Sequence, residues 1–169
     1  MPETPQQYTA RMLGNVGDND PLKIQAATAK KLHKLIKRAS PAKLRKKPAP
    51  EKWSAVEILA HLADVEIVVG WRVRSILGAP GTPIQAFDQD TWATVGKYSK
   101  RDAKRSVADF TAVREANLRL YKSLSPEQRK QFGMHSERGE ESVEHIWRMI
   151  AGHDVNHLRQ IASLLAPKK

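Results

Sequence analysis

The sequence predicts an all-α protein built as a four-helix bundle, and three observations support this prediction. In four separate segments, apolar residues recur every three or four positions, which is the spacing of one face of an α-helix. No stretch of five or more residues alternates apolar and polar side chains with the β-branched enrichment typical of strands. Long connections follow the second and the third helical segments, so the four helices can pack side by side.

The 169 residues fit a single domain. Residues 1–20 are polar and contain two prolines and two glycines, so we expect an extended N-terminal lead-in with at most a helical turn between Tyr8 and Leu13. The bundle domain is then expected to span residues 21–166.

Local signals place the first two helices. Asp20 precedes Pro21, a combination that favours an N-cap followed by the first helical residue. Ser54 and Glu57 have the spacing of a capping box, so the second helix should begin after Ser54. Its apolar stripe ends at Gly78, which we expect to terminate the helix.

The third helix is predicted from about residue 100 to 124, and the fourth from about 142 to 165. The connections over residues 79–98 and 126–141 are longer than most loops of compact domains. Loops of that length are more often functional than idle, and the first of them is predicted to fold into a short turn of helix over the bundle.

Composition limits the possible chemistry and partners. The chain has no cysteine, which excludes thiolate metal ligands and a cysteine nucleophile. The net charge is +11, and nine basic residues lie between Lys30 and Lys47. We favour a solvated helix face for this cluster, because it lacks the interleaved aromatic residues and the motifs of nucleic-acid binding.

The N-terminal residues lack the apolar region of a secretory signal. No run approaches the roughly 18 apolar residues that a bilayer span requires. We therefore expect a soluble, cytoplasmic protein that has no membrane partner.

Two histidines occupy consecutive places on the apolar stripe of the fourth helix. His153 and His157 follow Ile150 at steps of three and four, and Ile161 continues the stripe. Residues four apart lie one above the other on a helix, so the two imidazoles can close on one metal ion. The alternative is a pair of partly buried histidines that only make hydrogen bonds.

A third ligand is available on the second helix. His61 lies between Ile58 and Val65 at the edge of the core stripe, whereas His33 lies among lysines of the first helix. Three neutral ligands would leave an open coordination position, as in catalytic rather than structural zinc sites.

Other side chains have a functional and a structural interpretation. Arg114 lies on the core stripe of the third helix, where it could hold a substrate carboxylate or phosphate, or pair with a carboxylate such as Glu66. Asp88, Asp90 and Trp92 could line the mouth of a pocket, but turn capping and packing are favoured.

Three further polar residues are near the predicted site in sequence. Glu57 could orient His61, but we favour its capping role. Gln160, three residues after His157, has no assigned role. His135 is expected to be a solvated loop residue rather than an acid or base.

The segment from Trp53 to Glu66 resembles the pattern W-S-x-x-E-x-x-x-H-L-x-D-x-E of DinB/YfiT-like proteins. The similarity continues over residues 87–93, 135–139 and 152–161. Each segment is moderately specific alone, but four segments in the same order make a strong resemblance that covers nearly the whole chain.

This resemblance implies a bundle of up-down-down-up type, often dimeric, with nickel or zinc on three histidines. The ligand positions of the family fall on His61, His153 and His157, and the family often has an arginine at the position of Arg114. Relatives include transferases that join a low-molecular-weight thiol to an electrophile, a thiol-dependent isomerase and proteins described as hydrolases.

We therefore expect a divalent-metal-dependent enzyme that binds a small-molecule substrate at the open position, with Arg114 as a catalytic candidate. Thiol S-transferase-like chemistry is the first hypothesis, and hydrolysis by a metal-bound water is the second. The third is a non-enzymatic, basic helical-bundle binding module. A homodimer is expected, and a nucleic-acid partner is not.

Overall fold

The computed structural model describes residues 3–167 and contains four long helices, as predicted. They are α2 (Pro21–Lys37), α4 (Ala55–Gly78), α6 (Ala103–Ser123) and α8 (Val143–Leu165). Short elements connect or precede them: α1 (Pro5–Val16), α3 (Pro41–Arg45), β1 (Pro83–Ile84), α5 (Gln89–Val95), a 3₁₀ turn (Tyr98–Lys100), α7 (Pro126–Lys130), β2 (Phe132–His135) and β3 (Gly139–Ser142).

The predicted capping residues begin the long helices. The Asp20 carboxylate accepts from the Leu22 amide at the start of α2. Ser54 and Glu57 form both halves of the capping box of α4. The third long helix begins later than predicted, at Ala103, because Asp102 caps it and the residues just before form the 3₁₀ turn.

Hydrogen bonds between helices establish that α2 and α8 run in the same direction. Near the start of both helices, Gln25 Nε2 donates to the Trp147 carbonyl at 2.8 Å. Farther along both, the Thr28 hydroxyl donates to Asp154 Oδ2, also at 2.8 Å.

The other two bundle helices also run parallel to each other. Asp64, in the first half of α4, pairs with Arg101 just before α6, and Arg74 near the end of α4 bonds to Asn117 late in α6. The last turns of α4 share a hydrophobic cluster with the first turns of α8, so this pair runs antiparallel. The bundle is therefore of the expected up-down-down-up type.

The N-terminal segment differs from the prediction, because residues 5–16 form a complete helix rather than an extended lead-in. Thr4 and Gln7 form a capping box, and Met12 and Val16, on the apolar stripe of this helix, are fully buried. This stripe packs on α8 beside Gly152. The prolines and glycines suggested a loop, but Pro5 is a favourable first residue of a helix.

The two long connections meet in a small sheet that was not predicted. Strand β1 pairs in parallel with β2, in the register Pro83 to Met134, and β2 pairs antiparallel with β3. Strands of two to four residues are too short to show an alternating pattern in the sequence. The sheet joins the two connections at one side of the bundle.

Within residues 3–167, no helix combines the length and the apolar character needed to cross a membrane. Eight of the nine basic residues between Lys30 and Lys47 are exposed, and only Lys43 is partly covered. The cluster is therefore a solvated face, as favoured from its composition.

Candidate metal centre

Three histidine side chains from two helices converge on one point. His61 is on α4, while His153 and His157 lie one turn apart on α8. The Nε2 atom of His153 is 3.1 Å from Nε2 of His61 and 3.1 Å from Nε2 of His157. The structure thus brings together all three residues that the sequence selected.

The spacing of these nitrogens fits a divalent ion. Imidazole nitrogens bind zinc at about 2.0–2.1 Å, which places two of them about 2.9 Å apart at a right angle and about 3.4 Å apart at a tetrahedral angle. The observed separations of 3.1 Å lie within that interval. A single proton on His153 Nε2 could serve only one of its two neighbours, whereas a cation would serve all three.

Gln160 gives His157 the tautomer that a metal ligand needs. Its Oε1 atom lies 2.9 Å from His157 Nδ1, and a carbonyl oxygen can only accept, so Nδ1 carries the proton. The lone pair of His157 is therefore on Nε2, which faces the other two rings. Outer partners of this kind commonly orient metal-bound histidines.

Burial keeps the three imidazoles neutral. It lowers the pKa of His61 to about 3, with a smaller contribution from the charge of His157. The pKa of His153 falls well below its ordinary value for the same reason, and that of His157 is lowered although its bond to Gln160 opposes the shift. Neutral rings can bind a cation at pH 7 without first losing a proton.

Acidification is expected to destabilise the metal-free protein. The folded-state pKa of His61 is about 3, against about 6.5 for an unfolded chain, so between these values only the unfolded chain gains the proton. The stabilising contribution of the neutral ring is complete above about pH 6.5 and shrinks as the pH falls toward about 3. At about pH 5, the loss is about 2 kcal/mol for this residue.

Unfolding free energies with a chelator at about pH 7.5 and about pH 5 measure this effect. His61→Gln should lose less stability between the two pH values than the wild-type protein does. An identical pH dependence in both proteins would contradict the expectation.

A cavity of about 410 Å³ lies beside the histidines, and His61 and His153 form part of its wall. Apolar side chains of α4 and α8 supply much of the remaining wall: Val65, Val68, Val69, Ile146, Met149 and Ile150. Tyr8 of α1 also lines it, a contribution that the sequence analysis missed. The recurrence of Tyr8, Met12 and Val16 at steps of four was the signal for it.

The first long connection covers one side of this cavity. Asp88 caps α5 by accepting from the amides of Asp90 and Thr91, and both aspartates also line the cavity. Trp92 stacks on Phe87 with 4.7 Å between ring centroids and is 38% exposed. Trp92 lies on an outer groove instead of the cavity.

His135 was expected in solvent, and that prediction is wrong. It is buried in strand β2 and lines the cavity. Its Nδ1 atom accepts from the Glu137 amide at 3.2 Å, and its enclosed Nε2 atom has no hydrogen-bond partner among the residues that the structure describes. The sequence could not show this, because the sheet that buries the ring comes from two distant segments.

Glu57 has the favoured capping role. Its Oε2 atom accepts from the backbone amide and the hydroxyl of Ser54, and its Oε1 atom pairs with Lys47 at 3.1 Å. Both oxygens are thus used at the N-terminus of α4.

Arg114 lies in a buried ion cluster and is not among the residues that line the cavity. Its Nη1 atom donates to Asp154 Oδ2 at 2.6 Å and to the Gln25 carbonyl at 3.1 Å. Its Nη2 atom donates to Glu66 Oε1 at 2.7 Å and to Asp154 Oδ1 at 2.9 Å. The guanidinium therefore pairs with Glu66, the structural alternative, and the substrate-holding role expected from the sequence does not fit this position.

The chain is similar to a family of known proteins. The family model of the DinB superfamily matches residues 26–161 of the chain. The chain belongs to the DinB superfamily. The matched range includes most of α2, all of α4 and α6, α8 through Ile161, and all three converging histidines.

One curated protein and one solved structure are similar to this chain. A protein of Oceanobacillus iheyensis, described as a proposed metal-dependent hydrolase, is 26% identical over 114 residues. These residues are 68% of this chain and 65% of the relative, just under two thirds of its length. The solved structure of YfiT from Bacillus subtilis matches with a TM-score of 0.79 at 18% identity, over 95% of this chain and 87% of that one. This second match shows the shared four-helix bundle.

Proposed function

We propose that this DinB superfamily protein is a divalent-metal-dependent hydrolase of small molecules. The convergence of three neutral imidazole nitrogens beside a solvent-connected cavity carries the proposal. The O. iheyensis relative and YfiT are both described as metal-dependent hydrolases, which supports the same reaction class.

Different residues would hold the ion and orient its ligands. His61, His153 and His157 would hold the ion through Nε2, and Gln160 would keep the His157 lone pair turned toward it. With three protein ligands, a divalent ion supplies Lewis-acid chemistry, activating a water molecule and polarising an oxygen of the substrate. The apolar side chains of α4 and α8 would strengthen electrostatic interactions with the substrate on their side of the cavity, whose other lining residues are mostly polar or charged.

His153→Ala is expected to remove the bound metal. His153 is the central residue of the three, since both 3.1 Å separations involve its Nε2 atom. Mutating a residue that only orients a metal ligand lowers metal affinity by about 10–100-fold. Because His153→Ala removes a ligand itself, we expect the affinity for Zn²⁺ or Ni²⁺ to fall by more than about 100-fold. Elemental analysis and competition with a chromogenic chelator measure it.

His33→Ala is the matched control, because His33 is exposed on α2. It should keep wild-type metal content. If wild-type protein and both variants bind Zn²⁺ and Ni²⁺ equally weakly, the metal-dependent function is wrong and a non-enzymatic binding module becomes the better hypothesis.

Thiol S-transfer is the second proposal, and it rests on the sequence resemblance. A thiol would occupy the same open coordination position, where a cation lowers its pKa. Metal-loaded protein should be assayed with ester, amide and phosphoester panels, and in parallel with low-molecular-weight thiols plus an electrophile. Metal-dependent turnover that requires the thiol would favour transfer over hydrolysis.

A further inference from the structure

Arg72 of α4 is a partly buried cation in the wall of the cavity beside the three histidines. Its Nη2 atom donates to the Gln85 carbonyl at 2.7 Å, and its guanidinium lies 5.7 Å from the centre of the Phe87 ring. Within residues 3–167, no carboxylate lies in ion-pair distance of it. Four carboxylates also line the cavity, those of Asp88, Asp90, Glu137 and Glu141, but none of the four forms an ion pair with Arg72.

Among residues 3–167, three of the other four partly or fully buried arginines form ion pairs; the fourth, Arg129, lies over the ring of Tyr121 instead. Arg101 pairs with Asp64 at 2.8 Å, Arg138 with Glu141 at 2.6 Å, and Arg114 with two carboxylates. Carboxylate partners raise the pKa of Arg101 and Arg114. The pKa of Arg72 is lowered instead, first by burial and then by the positive charge of Arg138.

The Nε and Nη1 atoms of Arg72 remain available for a ligand. Among residues 3–167 neither has a hydrogen-bond partner, and neither is closed off from solvent. A guanidinium presents its donors as a planar fork that matches the two oxygens of a carboxylate or a phosphate. The single bond to the Gln85 carbonyl fixes the guanidinium while leaving these donors free.

We propose that Arg72 is an anion-binding residue that selects substrates with a carboxylate or phosphate group distant from the bond being broken. The role in selecting substrates rests on the proposed hydrolase function. The binding of an anion by Arg72 does not require that function. The cavity volume of about 410 Å³ accommodates a small molecule that reaches both His153 and Arg72.

Arg72 lies where the cavity and an outer groove meet. Arg72 lines both the cavity and the outer groove beside Trp71 and Phe87. A substrate would therefore meet the cation before or while its reacting end approaches the histidines. Opposite charge at such an entrance increases the rate of productive encounters.

Anion binding is tested on the full chain in its metal-free, chelated form, so that the result is independent of metal chemistry. Glutarate and inorganic phosphate are titrated at low salt, and the arginine Nε–H resonances are followed by NMR. The Arg72 resonance, assigned by its absence in Arg72→Lys, should shift saturably. Tighter binding of glutarate assigns a carboxylate, and tighter binding of phosphate assigns a phosphate group.

Arg72→Met should weaken the tighter anion by at least about 10-fold, and Arg72→Lys should have an intermediate effect because it keeps the charge but loses the fork. Arg105→Met, which removes a cation that is 82% exposed, is the control and should bind like the wild type. Circular dichroism verifies that the variants are folded. Equal anion binding by Arg72→Met and wild type, or no saturable shift in the wild type, would overturn the proposal.

A second measurement uses turnover once a hydrolysed ester is found. For a substrate with a distal carboxylate and its neutral amide analogue, Arg72→Met should lower the kcat/KM of the charged substrate by about 10–100-fold and that of the neutral one by much less. Equal losses for both substrates would overturn the selection role. Absence of metal binding together with Arg72-dependent anion binding would refute the hydrolase and leave the anion site standing.

Discussion

Arg114→Met is expected to destabilise the protein by about 3–5 kcal/mol, because it leaves two buried carboxylates without their cation. Arg114, Glu66 and Asp154 are each at most 2% exposed. Methionine fills much of the space but donates no hydrogen bond, so Asp154 would keep only the hydroxyl of Thr28. Chemical denaturation at neutral pH measures the loss.

A charge-neutral combination separates lost pairing from lost packing. Adding Glu66→Gln and Asp154→Asn to Arg114→Met removes the unpaired charges and should recover part of the stability. Arg105→Met is the matched single variant, since its pairing with Asp109 is exposed and should contribute less than about 1 kcal/mol. Equal destabilisation by Arg105→Met and Arg114→Met would be inconsistent with a stabilising buried cluster.

Gly152→Ala is expected to displace α1 from the bundle. A Cβ atom at residue 152 would overlap the carbonyl group of Met12, which is backbone and cannot rotate away. Relief requires movement of α1 and exposure of Met12 and Val16, each worth about 1.5–3 kcal/mol of burial. We expect about 2–4 kcal/mol of destabilisation and faster amide hydrogen exchange across α1.

Gly14→Ala gives the opposite expectation on the same helix. Nothing lies within 4 Å of a Cβ atom at residue 14, and alanine favours a helix over glycine by about 0.5–1 kcal/mol. This variant should therefore be slightly more stable than the wild type.

Unchanged exchange of the α1 amides in Gly152→Ala would show that the contact between α1 and α8 is looser than the structure indicates.

The histidine cluster was predictable because each histidine was selected by its position within a single helix. The spacing of His153 and His157 and the place of each on an apolar stripe are properties of single helices. His61 required only one further step, the same test on the second predicted helix. Capping boxes likewise involve residues three apart, so the start of α4 was found correctly.

The surroundings of the centre depend on contacts between distant segments. A stripe position showed that Arg114 faces the interior, but only the packed bundle shows that Asp154 and Glu66 meet it there. Burial of His135 results from a sheet joining residues 83–84 with 132–142. Such pairings leave no periodic pattern within either segment.

The order of the helices along the chain determines when the three histidines become available during synthesis on the ribosome. Two of the three histidines are on α8, which leaves the ribosome after α2, α4 and α6, while α8 packs beside α1 and α2 from the opposite end of the sequence. The nascent chain therefore has at most one of the three nitrogens until the fourth bundle helix is synthesised. Binding of an ion by all three histidines, as proposed above, would therefore require α8 to be synthesised first.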